Sequence, residues 1–359
     1  MLRSWAGSLK DHVQHFSKPA TADLFGGTAS NFQDFEPLDF LAELTQHIPH
    51  EGAHLIRYYG YYSNNRRGIC AKADSIVERS MIIDVHTHLS TLEQWGPVFC
   101  EACGRANAAM QCDLHVTPER HWTAMPNVDK AIVFGINSLA LQMNTPNDAI
   151  ADYARAHRDK IIGFMSIDPH QPDAIDEMER CVGDLGLRGI KMSPVYQHYH
   201  PCEEPARRVH RHAQRLGLPI LTHAAFHAIA DTPMQWANPL HYDLVAREFP
   251  DLTIILTHMG LPWFDDAMVV VRKHANVYAD VSPAFHRDWL YQALLRFQEF
   301  DVMDKLLFGS DFPISTFEKT CQSLRNVNQV VAGTGLTTIS EQAIEQIIDR
   351  DSLRLLGLD

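Results

Sequence analysis

The 359-residue sequence has no apolar run of about 18 residues, the length a helix needs to span a bilayer, so a helical membrane protein is not expected. Positive charge is not in excess either. Against 44 Asp and Glu stand only 31 Lys and Arg, a formal net charge of -13, and such a chain repels polyanions unless its cations gather into a patch. Nucleic acid is therefore a poor default partner. Cysteine is sparse: seven, at positions 70, 100, 103, 112, 181, 202 and 321, an odd number in a long chain that does not read as a disulfide framework and suits a reducing compartment. The opening MLRSWAGSLKDHVQHF has neither the basic start nor the apolar run of about 7 to 15 residues of a secretory signal, so the expectation is a soluble, cytoplasmic protein. Also missing are a GxGxxG after a strand, a P-loop, a GxSxG elbow, an HExxH helix and any simple short-period repeat. Their absence argues against dinucleotide, nucleotide, serine-hydrolase and zincin chemistry.

What is present is ordinary globular material: 45% hydrophobic residues, enough to fill a large core. The length suits either two average domains or one barrel of roughly 250 residues with an appendage. The conspicuous figure is 21 histidines, the residue type that most often ligates metals and moves protons near neutral pH. Where they fall becomes the central question.

Residues 1–30 are mixed and without periodicity, which reads as a loosely ordered leader. Residues 31–78 form a different segment. In it Phe35, Leu38, Phe40, Leu41 and Leu44 fit a short amphipathic helix, followed by the aromatic and basic HLIRYYGYYSNNRRG. The stretch FEPLDFLAELTQHIPHEGAHLIRYYGYYSNNRRG resembles the C-terminal tail of rolling-circle insertion-sequence transposases. That resemblance implies a fragment left by fusion or read-through, because the catalytic parts of those enzymes have no counterpart in it. Tyr58, Tyr59, Tyr61 and Tyr62 are accordingly not read as nucleophiles. Arg57, Arg66 and Arg67, interleaved with stackable aromatics, leave open a small nucleic-acid-touching patch.

From residue 79 to 359 the texture is alternating β and α. Strand candidates are Met81 to His86, Lys130 to Phe134, Ile161 to Met165, Leu187 to Met192, Pro219 to Thr222, Leu252 to Thr257, Asn276 to Asp280 and Lys305 to Phe308. Segments such as CEEPARRVHRHAQRLG and FDDAMVVVRKH lie between them, with apolar spacing of three and four. Eight strands with crossover helices predict an α/β fold, a (β/α)8 TIM barrel, rather than an open doubly wound sheet. About 40 residues separate His88 from Lys130, so a structured insertion or lid over the barrel mouth is expected there. It carries Cys100, Cys103, Cys112 and His115, which have the residue types of a structural zinc site; free thiols in a helical lid are the ordinary alternative. Cys181, Cys202 and Cys321 read as isolated thiols.

In such a barrel the chemistry sits at the C-terminal ends of the strands. Strand one ends IIDVHTH, and alternation places Asp84, His86 and His88 on one face. Strand four ends with Lys191, strands five and six with His223 and His258, and strand eight leads into FGSDFP with Asp311. Any one histidine is most simply a surface or hydrogen-bonded core residue. The set, each member at the same topological position, is hard to produce by packing demands, because burying it without a metal or partner is costly. Two imidazoles two residues apart on one strand, as His86 and His88 are, can grip one metal ion.

The run DVHTH, GIKMSP, LTHAAF, LTHMG and FGSDFP, in this order, resembles the amidohydrolase superfamily, and more closely its amidohydrolase-related branch that includes aminocarboxymuconate semialdehyde decarboxylase. The resemblance implies that His86, His88, His223 and Asp311 bind the metal, with His258 as base or electrostatic partner and Asp311 also as a proton acceptor. It leaves Lys191 either as a carboxylated bridge between two metals or, the favoured reading with one metal, as a cation for an anionic substrate group. One zinc per chain suits the imidazole-rich set, although manganese, iron or cobalt fit the ligand types too. Asp84 is either an outer partner of the ligands or a strand-end acceptor. Tyr196 and Trp263 either line the substrate pocket or cap the barrel. His198, His200, His227 and His286 are weaker candidates in the loops. The expected activity is hydrolysis of a small carboxylated or cyclic molecule by a metal-activated water. The alternative is non-oxidative decarboxylation on the same scaffold, and a further one is a nucleic-acid-associated or inactive fusion. The partner is a small molecule, not a membrane, and a homo-oligomer stays open.

Overall fold

The computed structural model describes residues 16–19, 32–35 and 81–359, the last without 98, 102–112, 228, 230–231 and 283–286. The chain divides into two compact units, Met1–Glu78 and Arg79–Asp359. In the first, Phe16–Pro19 pairs antiparallel with Phe32–Phe35 in the register Phe16 to Phe35 and Pro19 to Phe32. Phe35 thus closes a strand instead of entering a helix, and the stretch read as a leader contributes a strand. A four-residue strand with no helix-like period shows itself only through its partner. The remainder of the expected helix, and the tyrosines and arginines after it, lie outside the described residues.

The second unit is a closed parallel barrel. Its strands are β1 (Ile83–His88), β2 (Lys130–Phe134), β3 (Ile161–Gly163, continued by Met165–Ser166), β4 (Ile190–Met192), β5 (Ile220–Thr222), β6 (Ile254–Leu256), β7 (Val277–Asp280) and β8 (Leu306–Leu307). Neighbours pair in sequence order, all parallel. The interruption of β3 at Phe164 marks a change of partner, from β2 to β4. The ring closes between β1 and β8, where Val85 N–H donates to Phe308 O at 3.0 Å, Asp311 N–H to His86 O at 2.8 Å and His88 N–H to Phe312 O at 3.0 Å.

Crossover helices α1 (Pro118–Ala124), α2 (Asn147–Ala156), α3 (Ala174–Gly183), α4 (Glu204–Leu216), α5 (His241–Glu248), α6 (Phe264–Lys273), α7 (Arg287–Glu299) and α8 (Phe317–Arg325) follow their strands in turn. In α4 the buried Ala206, Val209, His210 and Ala213 recur at three and four residues, which turns one stripe to the sheet, and the helix ends at Gly217 in the left-handed region (φ 66°). No described helix is long and apolar enough to cross a membrane.

Among the described residues the core has three parts. Ile83, Val85, Ile132, Phe134, Phe164, Leu221, Ile255 and Leu307 fill the barrel, and Leu353 and Leu356 of helix α10 (Ser352–Leu356), which follows α9 (Glu341–Ile348), together with Leu358 just beyond it, plug the end away from the mouth. A larger apolar shell lies between strands and helices. A third cluster sits over the mouth: Trp95, Phe99 and Leu114 of the long β1 to β2 connection pack with Tyr196, Ile229 and Trp263 from the loops after β4, β5 and β6. The insertion is therefore a partial cover on the end where the chemistry-bearing residues emerge.

Candidate metal centre

Alternation along β1 does not survive to its end. The pairing of β1 with β2 shifts register between Asp84 and Thr87, a bulge that lets Val85 join the barrel interior while His86 and His88 both reach the mouth. Asp84 does not share their side as expected. Its Oδ1 accepts from His86 N–H at 3.1 Å and Ser310 N–H at 3.0 Å, tying β1 to the loop after β8, and it is fully buried, which pushes its pKa up to about 6. Asp84 is thus a backbone clamp holding the chain segments that carry His86 and Asp311.

Three side chains converge from β1 and the β8 loop. His86 Nε2 lies 3.2 Å from His88 Nε2 and 3.2 Å from Asp311 Oδ1, and His88 Nε2 lies 3.0 Å from the same oxygen. His88, Asp311 and His86 are the residues of one group able to hold an ion. Gly309 makes this approach feasible, since a Cβ there would meet His86 Cβ at 2.9 Å. His223, directly after β5, stands one step away: its Nδ1 is 3.3 Å from His258 Nε2, and its Nε2 is buried with no hydrogen-bond partner among the described residues. Asp311 (φ 54°) and His258 (φ 59°) both have left-handed backbone, an uncommon conformation for residues other than glycine that is held here by surrounding hydrogen bonds.

The donor set fits a divalent cation. Lone-pair atoms crowded to about 3 Å repel unless a proton or cation lies between them, and the orphaned His223 Nε2 carries the cost of an unmet buried acceptor. A second group, His86, His258 and Asp280, is of another kind. Its atoms are already satisfied by hydrogen bonds: His86 Nδ1 donates to Asp280 Oδ2 at 2.8 Å within the group, and His258 Nδ1 to Ser282 O outside it at 2.6 Å.

Electrostatics here are set by burial and proximity. Burial lowers the His88 pKa to about 4 and that of His258 to about 4, and holds His223 well below the usual value. Burial and the Lys191 charge also act to lower His86, but Asp280 and Asp311 outweigh them and raise it. Burial disfavours the Asp311 carboxylate, yet His86 and His88 more than offset this and keep its pKa well below the usual range. Lys191, on β4, is 1% exposed; its Nζ lies 4.7 Å from the Phe134 ring centre, with no hydrogen-bond partner among the described residues. Burial lowers its pKa to about 8, against the pull of Asp311 and Asp280.

Tyr196 has its ring 5.2 Å from that of His223 and 4.6 Å from that of His227, and Trp263 packs into the same cluster, so both expected aromatics belong to the mouth. Asp280 and Ser282 are not apparent as site residues from sequence; the signal is a carboxylate ending the strand VYAD. Cys103, Cys112 and His286 lie outside the described residues. Of that expected zinc set, Cys100 contacts Trp95 O through its Sγ at 3.6 Å, and His115 Nδ1 accepts from Leu92 N–H at 3.3 Å.

The amidohydrolase family profile matches residues 83–358, and the chain belongs to that family. A transposase family profile matches residues 18–68. A search of curated proteins gave no match. Among solved structures, the chain is similar to an uncharacterised TIM-barrel protein from Bordetella bronchiseptica at 20% identity (TM-score 0.59, covering 77% of this chain and 99% of that one). It is also similar to a dihydroxybenzoic acid decarboxylase from Polaromonas sp. JS666 with bound manganese and the inhibitor 2-nitroresorcinol, at 18% identity (TM-score 0.54; 78% and 97%). A probable 2-pyrone-4,6-dicarboxylic acid hydrolase from Acinetobacter baumannii, with citric acid bound, is similar at 14% identity (TM-score 0.54; 77% and 99%). These likenesses establish the barrel fold.

Proposed function

We propose that the chain is a metal-dependent carboxy-lyase that removes CO2, without oxidation, from a small flat carboxylic acid. His86, His88, His223 and Asp311 would hold one divalent ion, zinc or manganese. Once bound, that ion supplies positive charge that orients and polarises substrate oxygens. The observation carrying the reading is Lys191, an ammonium buried at the foot of the mouth without a hydrogen-bond partner among the described residues. A substrate carboxylate is the partner it lacks. Phe99, Tyr196 and Trp263 give the mouth aromatic walls that suit a planar molecule. The manganese-bound decarboxylase among the similar structures supports this choice over hydrolysis, the first expectation from sequence.

His258 does the proton work in this scheme. Its Nδ1–H is committed to Ser282 O, so Nε2 is the atom that carries a mobile proton, and an anionic substrate nearby favours the charged imidazole. The bond from carbon to carboxylate breaks, its electron pair stays on that carbon, and the carbon takes the proton from Nε2 as CO2 leaves. A second reading, hydrolysis, is favoured by the same imidazole: burial keeps it neutral, able to accept a proton from water.

The test is incubation of the metal-loaded protein with aromatic and enoic acids, lactones and amides in D2O, following CO2. Release of CO2 with deuterium at the vacated carbon is expected. Lys191→Met should then raise KM at least tenfold, the loss of a charge-assisted contact of about 1.5–3 kcal/mol, with metal content unchanged. Lactone or amide cleavage without CO2 would replace this reading by the hydrolytic one.

A further inference from the structure

One carboxylate, at the end of β7, touches both halves of the site. Asp280 Oδ2 accepts from His86 Nδ1 at 2.8 Å. Its Oδ1 accepts from His258 N–H at 2.9 Å, Ser282 N–H at 3.1 Å and Ser282 Oγ–H at 2.5 Å. Ser282 completes the link: its carbonyl accepts from His258 Nδ1 at 2.6 Å, and its Oγ lies 3.0 Å from His86 Nδ1 and 3.2 Å from His258 Nδ1. Asp280 is fully buried and Ser282 is 1% exposed.

We propose that Asp280 and Ser282 are positioning residues that together fix the tautomers of His86 and His258, so that one strand end sets both the metal-ligand lone pair and the proton-carrying nitrogen. A carbonyl oxygen only accepts, so Ser282 O places the proton of His258 on Nδ1 and leaves Nε2 facing His223. An ionised carboxylate likewise places the His86 proton on Nδ1 and leaves its Nε2 lone pair toward His88 and Asp311. The hydrogen bond from His258 N–H to Asp280 also holds the left-handed backbone at His258, and with it the aim of that ring. Four donors converge on Asp280, so an amide cannot replace it: whichever way it is flipped, an N–H meets another donor. If the amide N–H faces His86, the ring must accept through Nδ1 and carry its proton on Nε2, which removes the ligand lone pair.

This inference rests on the metal-centre reading for its affinity arm only. The first measurement is the imidazole 15N spectrum of the metal-free protein at alkaline pH, with His86 and His258 assigned by substitution. Both rings are expected as the Nδ1–H tautomer, and an Nε2–H form of His86 would overturn the proposal even if Asp280→Asn proved unable to fold. The second is divalent-ion affinity by chelator competition. Asp280→Asn, checked for an unchanged urea midpoint, is expected to bind about 10–100-fold more weakly, with His86 shifted toward Nε2–H. Unchanged affinity and tautomer in Asp280→Asn would refute the assignment, as would two ions per chain with Asp280 ligating the second. Failure of the unaltered protein to bind any ion would defeat the metal centre while leaving the tautomer result standing.

Discussion

A single buried imidazole shows how far residue-scale physics reaches in this chain. His210 on α4 is 1% exposed, packs edge-on against Phe249 with ring centres 5.9 Å apart, and its Nδ1 has no partner among the described residues. Burial lowers its pKa from 6.5 to about 3, so the folded chain keeps it neutral where the unfolded chain would protonate it. The stability tied to that difference is fully present above pH 6.5 and drains away as pH falls toward about 3. His210→Leu should therefore flatten the fall in urea midpoint between neutral and acid pH by about one proton's worth of slope. An unaltered slope would mean the ring is solvated or paired in the native state. At the same scale, Lys191, His223 and His258 were recognisable as strand-end polar residues, because each follows an apolar run. Asp280 was not, because a lone Asp ending a strand looks like any other strand terminus until His86 is seen 2.8 Å away.

At the scale of the element, the decisive feature is the junction of β1 with the loop after β8. Strand β1 brings two histidines to the mouth only because its pairing slips between Asp84 and Thr87, and β8 comes close only because residue 309 has no side chain. Gly309→Ala would place a methyl 2.9 Å from His86 Cβ, closer than real contacts allow, in a place walled by Ser282 and Asp280. The expected result is a folded barrel destabilised by about 1–3 kcal/mol, with weaker divalent-ion binding, read from urea unfolding and chelator competition. Wild-type ion affinity in this variant would show that His86 does not depend on the junction. Strict alternation, the rule that put Asp84 beside His86 and His88, fails here for a physical reason: a bulge adds one residue to one strand and rotates the side chains beyond it.

For the whole molecule, ring closure within residues 83–312 and the plug from α10 leave the barrel complete inside the unit Arg79–Asp359. A chain lacking residues 1–78 is therefore expected to fold, with a cooperative urea transition, and to bind the same amount of divalent ion per chain. Collapse of ion content on truncation would show that the barrel needs the first unit. The sequence by itself determined the alternation of eight apolar runs with amphipathic helices, and the polar residues that come after those runs, because periodicity and order are properties of the chain alone. Only the tertiary structure decided which of those residues meet. The slip in β1, the β7 carboxylate bridging His86 to His258, and the Lys191 ammonium left without a hydrogen-bond partner among the described residues all depend on distances between segments far apart in sequence, and no local pattern encodes them.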